Sequence, residues 1–405
     1  MNVKNSIRLL SKYRDRYCVI NADIQDIASM VLAGILASRK ATGKMLGENI
    51  FCFFGAGRSA LGTASLLVQA MVAEGVSEEE AKTKIWMMDS QGLVTKSRLE
   101  LSEYKSLYAK DHSSVDSLED LVHEIKPSVL IGCSNVGGAF TPSILRAMAS
   151  FHQRPLVFAL STPSECAECD ADNALRHTNG CCLYGSGAPD VTKNLDEGDA
   201  QPSTGSTLMS HAYVSPGVTL GVLCTKMHHV ADDIFIIAAQ TIANMVTEED
   251  LEQGRIYPPL ENSRQVSLAI ATAISQYAYD KGRANTYPEP EDKMAYILDK
   301  QYDYNYHNAL PAIYSWPSHA TKALNTSGLQ VGVGSLLGLI CVRPRDECPN
   351  SEETKDLLSL PGGCSLSANP GKLPPHDGPQ ATSVGFLPEG RLDLCRGHLC
   401  GSEWG

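Results

Sequence analysis

The sequence predicts an α/β chain organised around a doubly wound parallel sheet, and three observations carry that prediction. Apolar runs of strand length alternate with longer segments whose apolar residues fall at helical spacing. Residues 50–54 (IFCFF) run directly into Gly55-Ala56-Gly57, and Arg58-Ser59-Ala60-Leu61-Gly62 then opens an apolar-periodic segment reaching Ala73. A later strand-like run, 129–133, ends in a second small-residue turn, Ser134-Asn135-Val136-Gly137-Gly138. In a parallel sheet such turns line a crevice at the carboxyl ends of the strands.

The elements follow in order. Residues 5–17 form a short basic helix with Ile7, Leu10 and Tyr13 at helical spacing, and 18–21 (CVIN) read as a strand end. A strong helix covers 27–39. Asp23, just before it, reads either as a helix cap or as a ligand for a divalent cation. Strand, glycine turn and helix over 50–73 give the context of a dinucleotide-binding fingerprint. Gly55 permits the tight turn, and Gly57 lets a pyrophosphate approach the helix N-terminus, where free N–H groups favour an anion. Ala60 stands where a third glycine often stands. The second strand, 84–89, ends on Asp89, either an acid for the adenine ribose hydroxyls or a surface turn residue in Asp89-Ser90-Gln91-Gly92. Helix is expected over 119–125 and 145–149, with strands over 129–133, 155–161 (before Thr162-Pro163) and 182–187. Residues 190–206 form a polar loop, and 214–222 an apolar stretch punctuated by Pro216-Gly217. Long helices cover 232–246 and 266–279, and Tyr287-Pro288-Glu289-Pro290 is a turn. From Ser318 periodicity is lost and Gly, Pro, Ser and Cys dominate, as in an irregular, disordered tail.

Composition removes several function classes. A net charge of −12 argues against nucleic acid or an anionic membrane surface as partner. No run approaches the roughly 18 apolar residues of a membrane span. The polar segment after Met1 lacks the apolar core of a secretory signal, and 13 irregularly spaced cysteines fit a reducing compartment. The expected location is therefore cytoplasmic, or mitochondrial if a targeting peptide precedes the chain. Cys166 and Cys169, followed by Cys181-Cys182, read as ordinary thiols because zinc wants a second properly spaced pair. Asp232-Asp233, after His228-His229, read as caps of the next helix.

With these residues in view, the chain resembles the carboxyl-terminal part of a malic enzyme from about Ile7 to Pro317. The likeness is carried by Asn21-x-Asp23-Ile24-Gln25, Phe54-Gly55-Ala56-Gly57 with Ala60-Leu61-Gly62, and Gly138-Ala139-Phe140-Thr141. It continues through Ala167-Glu168-Cys169, Tyr213-Val214-x-Pro216-Gly217-Val218, Gly254-Arg255-x-Tyr257-Pro258-Pro259-Leu260 and Tyr287-Pro288-Glu289-Pro290. The resemblance implies oxidation of L-malate to pyruvate and CO2, a reduced nicotinamide cofactor, Mn2+ or Mg2+, and an oligomer. Carried over by residue, Asp23 matches a metal carboxylate. Gly55, Ala56, Gly57, Ser59, Ala60, Gly62, Asp89, Ser134 and Asn135 fall on the cofactor crevice. Ser90 and Lys105 resemble the NADP-preferring branch, in which a lysine meets the 2′-phosphate, so NADP is expected over NAD.

Several positions depart from the family pattern. Ala22 stands for an aspartate, Asp26-Ile27 for glycine-threonine and Arg58 for glutamate. At the expected malate-binding positions, Thr162 replaces an asparagine, and Ser210-His211 replace an asparagine pair. By this alignment the remaining metal ligands and the proton-transferring tyrosine and lysine fall before Met1. The implied division is 1–21 as the end of a catalytic domain, 22–210 as a Rossmann-like domain, 211–281 as a return to the catalytic domain, 282–317 as a helical extension and 318–405 as tail. The resulting expectation is a chain inactive alone, a homo-oligomer or a partner of intact family subunits. The apolar face of 232–246, including Ile234, Ile237 and Val246, is expected to lack half its packing partner.

Overall fold

The computed structural model describes residues 3–188 and 206–303. The predicted loop over 190–206 lies outside the described residues except for Ser206, which begins a strand, and the tail from Ser318 lies outside them too. The elements run α1 (Val3–Tyr13), α2 (Gln25–Thr42), β1 (Phe51–Phe54), α3 (Arg58–Ala73), α4 (Glu78–Thr83), β2 (Ile85–Asp89), β3 (Gly92–Leu93), α5 (Glu103–Ser106), α6 (Leu118–Ile125) and β4 (Val129–Gly132). They continue with α7 (Pro142–Phe151), β5 (Leu156–Ala159), α8 (Ala171–His177), β6 (Leu183–Ser186), β7 (Ser206–Leu208), α9 (His211–Thr225), α10 (Asp232–Met245), α11 (Glu248–Glu252), α12 (Ser263–Asp280) and α13 (Lys293–Lys300).

The seven described strands make one sheet in the order β3-β2-β1-β4-β5-β6-β7. All neighbours are parallel except β2 and β3. β1 is flanked by β2 and β4, with Phe51 opposite both Ile85 and Val129. The chain therefore winds away from β1 in one direction and restarts on its other side. That reversal opens a crevice above the ends of β1 and β4.

Period-two alternation splits the core. Phe51, Phe53, Met87 and Ile131 join one buried cluster with residues of α2, α3, α9, α10 and α12. Cys52, Met88, Leu130 and Val157 join the other with α6, α7 and α8. This is the predicted Rossmann-like α/β architecture.

Three local expectations are corrected. Residues 18–21 form no strand, because the Asn21 carbonyl accepts from Ile24 and Gln25 in the turn that starts α2. Pro216-Gly217 does not break the chain but lies inside α9. A Cβ on Gly217 would meet the Ile270 side chain at 2.8 Å, and one on Gly221 would meet Ile274 at 3.0 Å. These glycines let α9 lie close against α12. The α10 face is not left open either: Ile234 and Val246 are buried, Ile237 is half-buried against the core, and Ser29 Oγ donates to the Phe235 carbonyl at 2.8 Å across the α2–α10 contact. Among the described residues no helix is long and apolar enough to cross a membrane.

Candidate functional site

The crevice begins at Gly55. Its φ of +116° favours glycine, and a Cβ there would lie 2.4 Å from the Cys133 carbonyl oxygen. The loops after β1 and β4 touch at this point. Gly57 then precedes α3, whose N-terminus has no side-chain cap and no acid in its first turn. A Cβ on Gly57 would meet nothing within 4 Å. No internal packing requires glycine there, and the open space faces the crevice. Ala56 and Ala60 are buried, and Gly62 faces Ile24, whose Cγ2 would lie 2.4 Å from an added Cβ. These three pack the turn rather than line the opening.

The cleft over this turn has a volume of ≈ 390 Å³. It brings together Asp23, Gly57, Ser59, Asn135, Thr162 and His211 from the residues expected at the site, and adds Arg58 and Ser210. Glu168 holds two of its loops in place. Wholly buried, it accepts at Oε1 from the Ser134 backbone N–H (2.8 Å), Ser134 Oγ (2.9 Å) and Ser161 Oγ (2.6 Å). Ser161 Oγ accepts in turn from the backbone N–H of Asn135, which stands at φ +59°. Ser134 thus faces Glu168, while Asn135 reaches the cleft.

Asp23 is not the cap of α2: the N-cap position is Ile24, with no side-chain cap bond. Its Oδ2 lies 3.2 Å from the Arg58 guanidinium. Hard divalent cations take about six oxygen ligands. Here the one carboxylate faces the Arg58 guanidinium, and the described residues contain no group of three or more His, Cys, Asp or Glu able to hold a metal. The residues around Asp23 do not fit the divalent ion that the resemblance implies. Asp232 is likewise no cap: α10 starts from Ala231, and Asp232 accepts from Arg14, Gln25 and Gln69.

A second charged pair lies beneath the cleft. Asp26 is wholly buried, accepts from Ser215 Oγ, and has its Oδ2 3.6 Å from His211 Nδ1, an ion-pair distance. The neighbouring Asp26 carboxylate raises the His211 pKa, burial opposes this, and Asp23 adds to the rise. A raised folded-state pKa means that the pair's stabilisation is complete below the unfolded histidine value of about 6.5 and fades as pH climbs through the folded value. Thermal melts should show wild type losing stability relative to His211→Asn as pH rises above about 6.5. A pH-independent difference would refute the pairing.

At the far end of β2, Asp89 is not left to solvent. Its Oδ1 accepts from Arg98 (2.8 Å) and from the Gln91 N–H (3.0 Å), and its Oδ2 from Lys105 (2.7 Å). Burial alone would raise its pKa; the Lys105 and Arg98 bonds outweigh that and hold the carboxyl below its ordinary value. Arg98 also donates to the Gly92 and Leu93 carbonyls, each at 2.7 Å. Sequence reasoning missed Arg98; its only local signal is a basic residue soon after the strand-end acid. Ser90 is exposed beside this cluster.

Comparison with known proteins accords with this architecture. The model of the malic enzyme NAD-binding domain matches residues 24–279. The NADP-dependent malic enzyme, mitochondrial, of Mus musculus is 46% identical over 317 residues, covering 78% of this chain and 52% of the relative. The NADP-dependent malic enzyme of Columba livia is 45% identical over 319 residues, covering 78% and 57%. The chain spans about half the length of the curated relatives it matches. The crystal structure of Entamoeba histolytica malic enzyme shares the fold at a TM-score of 0.58 and 21% identity, covering 73% of this chain and 56% of that one. On the extent of the family match and the sequence identity, this chain belongs to the malic enzyme family.

Proposed function

We propose that the chain binds NADP in the β1–β4 crevice, as the nucleotide-binding part of the family reaction, oxidation and decarboxylation of L-malate to pyruvate and CO2. The observation that carries this reading is the pairing of an uncapped α3 N-terminus, fronted by a glycine with open space, with two cations at the end of β2. The first suits a pyrophosphate. The second, Arg98 and Lys105 around Asp89, suits the 2′-phosphate that distinguishes NADP from NAD. Gly57 admits the phosphates, Asn135 and Ser134 shape the opposite wall, and Ser59 fixes the α3 entry through its bond to the Asp23 carbonyl (3.1 Å). The bound cofactor supplies the hydride acceptor.

The chain alone is proposed to be inactive in that reaction. Thr162 and His211 occupy positions where the resemblance implies amides, and Arg58 faces Asp23 where a cation would sit. A second reading, a nucleotide-binding or subunit-interaction protein without turnover, is favoured by the same Arg58–Asp23 pair. Association with itself or with intact family subunits, in the cytoplasm or mitochondrion, belongs to either reading.

One experiment tests both parts. Titration should show NADP+ binding more tightly than NAD+, with Lys105→Gln weakening NADP+ about tenfold and leaving NAD+ nearly unchanged. Malate and Mn2+ should produce no NADPH. Robust NADPH production would overturn the inactivity, and equal loss of both cofactors in the variant would overturn the role of Lys105.

A further inference from the structure

A second cavity, of ≈ 130 Å³, lies among α1, α2, α3, α5 and α10 and shares no lining residue with the cleft over the β1–α3 turn. We propose that it binds a small neutral hydroxyarene, one aromatic ring carrying a hydroxyl, and that its occupation opposes NADP binding through α5. The site stands on its own geometry; the coupling rests on the role proposed above for Lys105.

Size and walls select the ring. Ile24, Ala28, Leu61, Leu66 and Phe235 line the cavity and are buried. An apolar cavity of about 150 Å³ takes up one benzene molecule, so this one has room for a single ring and little more.

One charged pair selects the substituent. Arg14 and Asp232 both line the cavity. Asp232 accepts at Oδ1 from Arg14 (2.6 Å) and Gln25 (3.2 Å), and at Oδ2 from Gln69 (3.0 Å). A carboxylate has about four acceptor positions, so Oδ2 keeps one, and a guanidinium has N–H donors beyond the one that Arg14 gives to Asp232. Donor and acceptor thus stand side by side at the wall. A hydroxyl answers both: its oxygen accepts from Arg14 and its hydrogen goes to Asp232. A ligand carboxylate could only accept, and it would bring a second negative charge against Asp232.

α5 carries the consequence. Tyr104 lines the cavity, with its hydroxyl 3.5 Å from Ser11 Oγ of α1. The next residue, Lys105, donates to Asp89 at 2.7 Å. α5 is four residues long and buries none of them, so little packing resists its displacement. A ring seated against Tyr104 pushes α5 outward and draws Lys105 away from Asp89, where the 2′-phosphate is proposed to sit.

The test is titration of phenol into the full chain, followed by the ring resonances of Tyr104 and the methyl resonances of Leu61. Both should shift along one saturable curve, and phenol should bind about tenfold more tightly than benzoate or toluene. Leu10→Trp, which fills the cavity from α1, should abolish the shifts. Saturating phenol should weaken NADP+ about fivefold and leave NAD+ unchanged, and NADP+ should weaken phenol by the same factor. Shifts that do not saturate, benzoate binding as well as phenol, or unchanged NADP+ affinity in saturating phenol would each overturn the proposal. All three are read in the unmodified chain, whatever the variant's folding. If NADP+ binds and phenol does not, this inference alone falls; if phenol binds and NADP+ does not, the proposed function falls and takes the coupling with it.

Discussion

Gly55→Ala will destabilise the chain by about 3 kcal/mol and abolish measurable NADP+ binding. Two independent costs coincide at this residue. Its φ of +116° is strained for any residue with a Cβ. The added carbon would also lie 2.4 Å from the Cys133 oxygen, 2.6 Å from the Cys133 carbonyl carbon and 3.0 Å from the Ser134 nitrogen. All three are backbone atoms at the end of β4, so no side chain can rotate away. Relief requires parting β1 from β4 where Phe54 pairs with Gly132, or turning the Gly55 peptide. Either movement displaces the α3 entry. Denaturant unfolding and NADP+ titration check both halves. Gly57→Ala is the control: φ is −85° and the new Cβ meets nothing within 4 Å, so stability should hold while NADP+ affinity falls. An unchanged affinity in that variant would remove the pyrophosphate from this turn.

Glu168→Ala should cost about 3–5 kcal/mol and weaken NADP+ binding in parallel. Three donors converge on one buried carboxylate oxygen, and hydrogen bonds to a charged acceptor are the strong ones. Truncation leaves the Ser134 N–H and two hydroxyls without that acceptor and opens a void against β4, since a Cβ on Gly132 would stand 2.5 Å from Glu168 Cδ. The same segment supports the crevice through its backbone: the Ala167 and Glu168 carbonyls accept from Gly138 (3.0 Å) and Phe140 (2.9 Å). Glu168→Gln preserves size and one oxygen but removes the charge, so its loss should be smaller. A cost below about 1 kcal/mol for the alanine variant would show that the two loops hold their places without the carboxylate.

The sheet strands and the β1–α3 turn were legible because their signals are local. The unbroken apolar run from Phe51 to Phe54 marks a strand buried on both faces, and the Gly55-Ala56-Gly57 turn follows the strand directly. Long apolar periodicity likewise placed α2, α10 and α12 to within a few residues. Pro216-Gly217 misled because punctuation is also local, whereas the reason for glycine there is Ile270, far along the chain. Asp23 was open between cap and ligand, and its charged partner is Arg58, which only the fold brings within 3.2 Å. Asp26 and His211 are 185 positions apart in the numbering and meet only because α9 returns against α2. Glu168 looked like the middle of a cysteine pair until β4 and β5 placed Ser134 and Ser161 around it. Backbone propensity and hydrophobic period act over a few residues and determined the elements. Ion pairs, buried carboxylate bonds and close glycine contacts depend on distances between remote segments, which the packed tertiary structure alone decided.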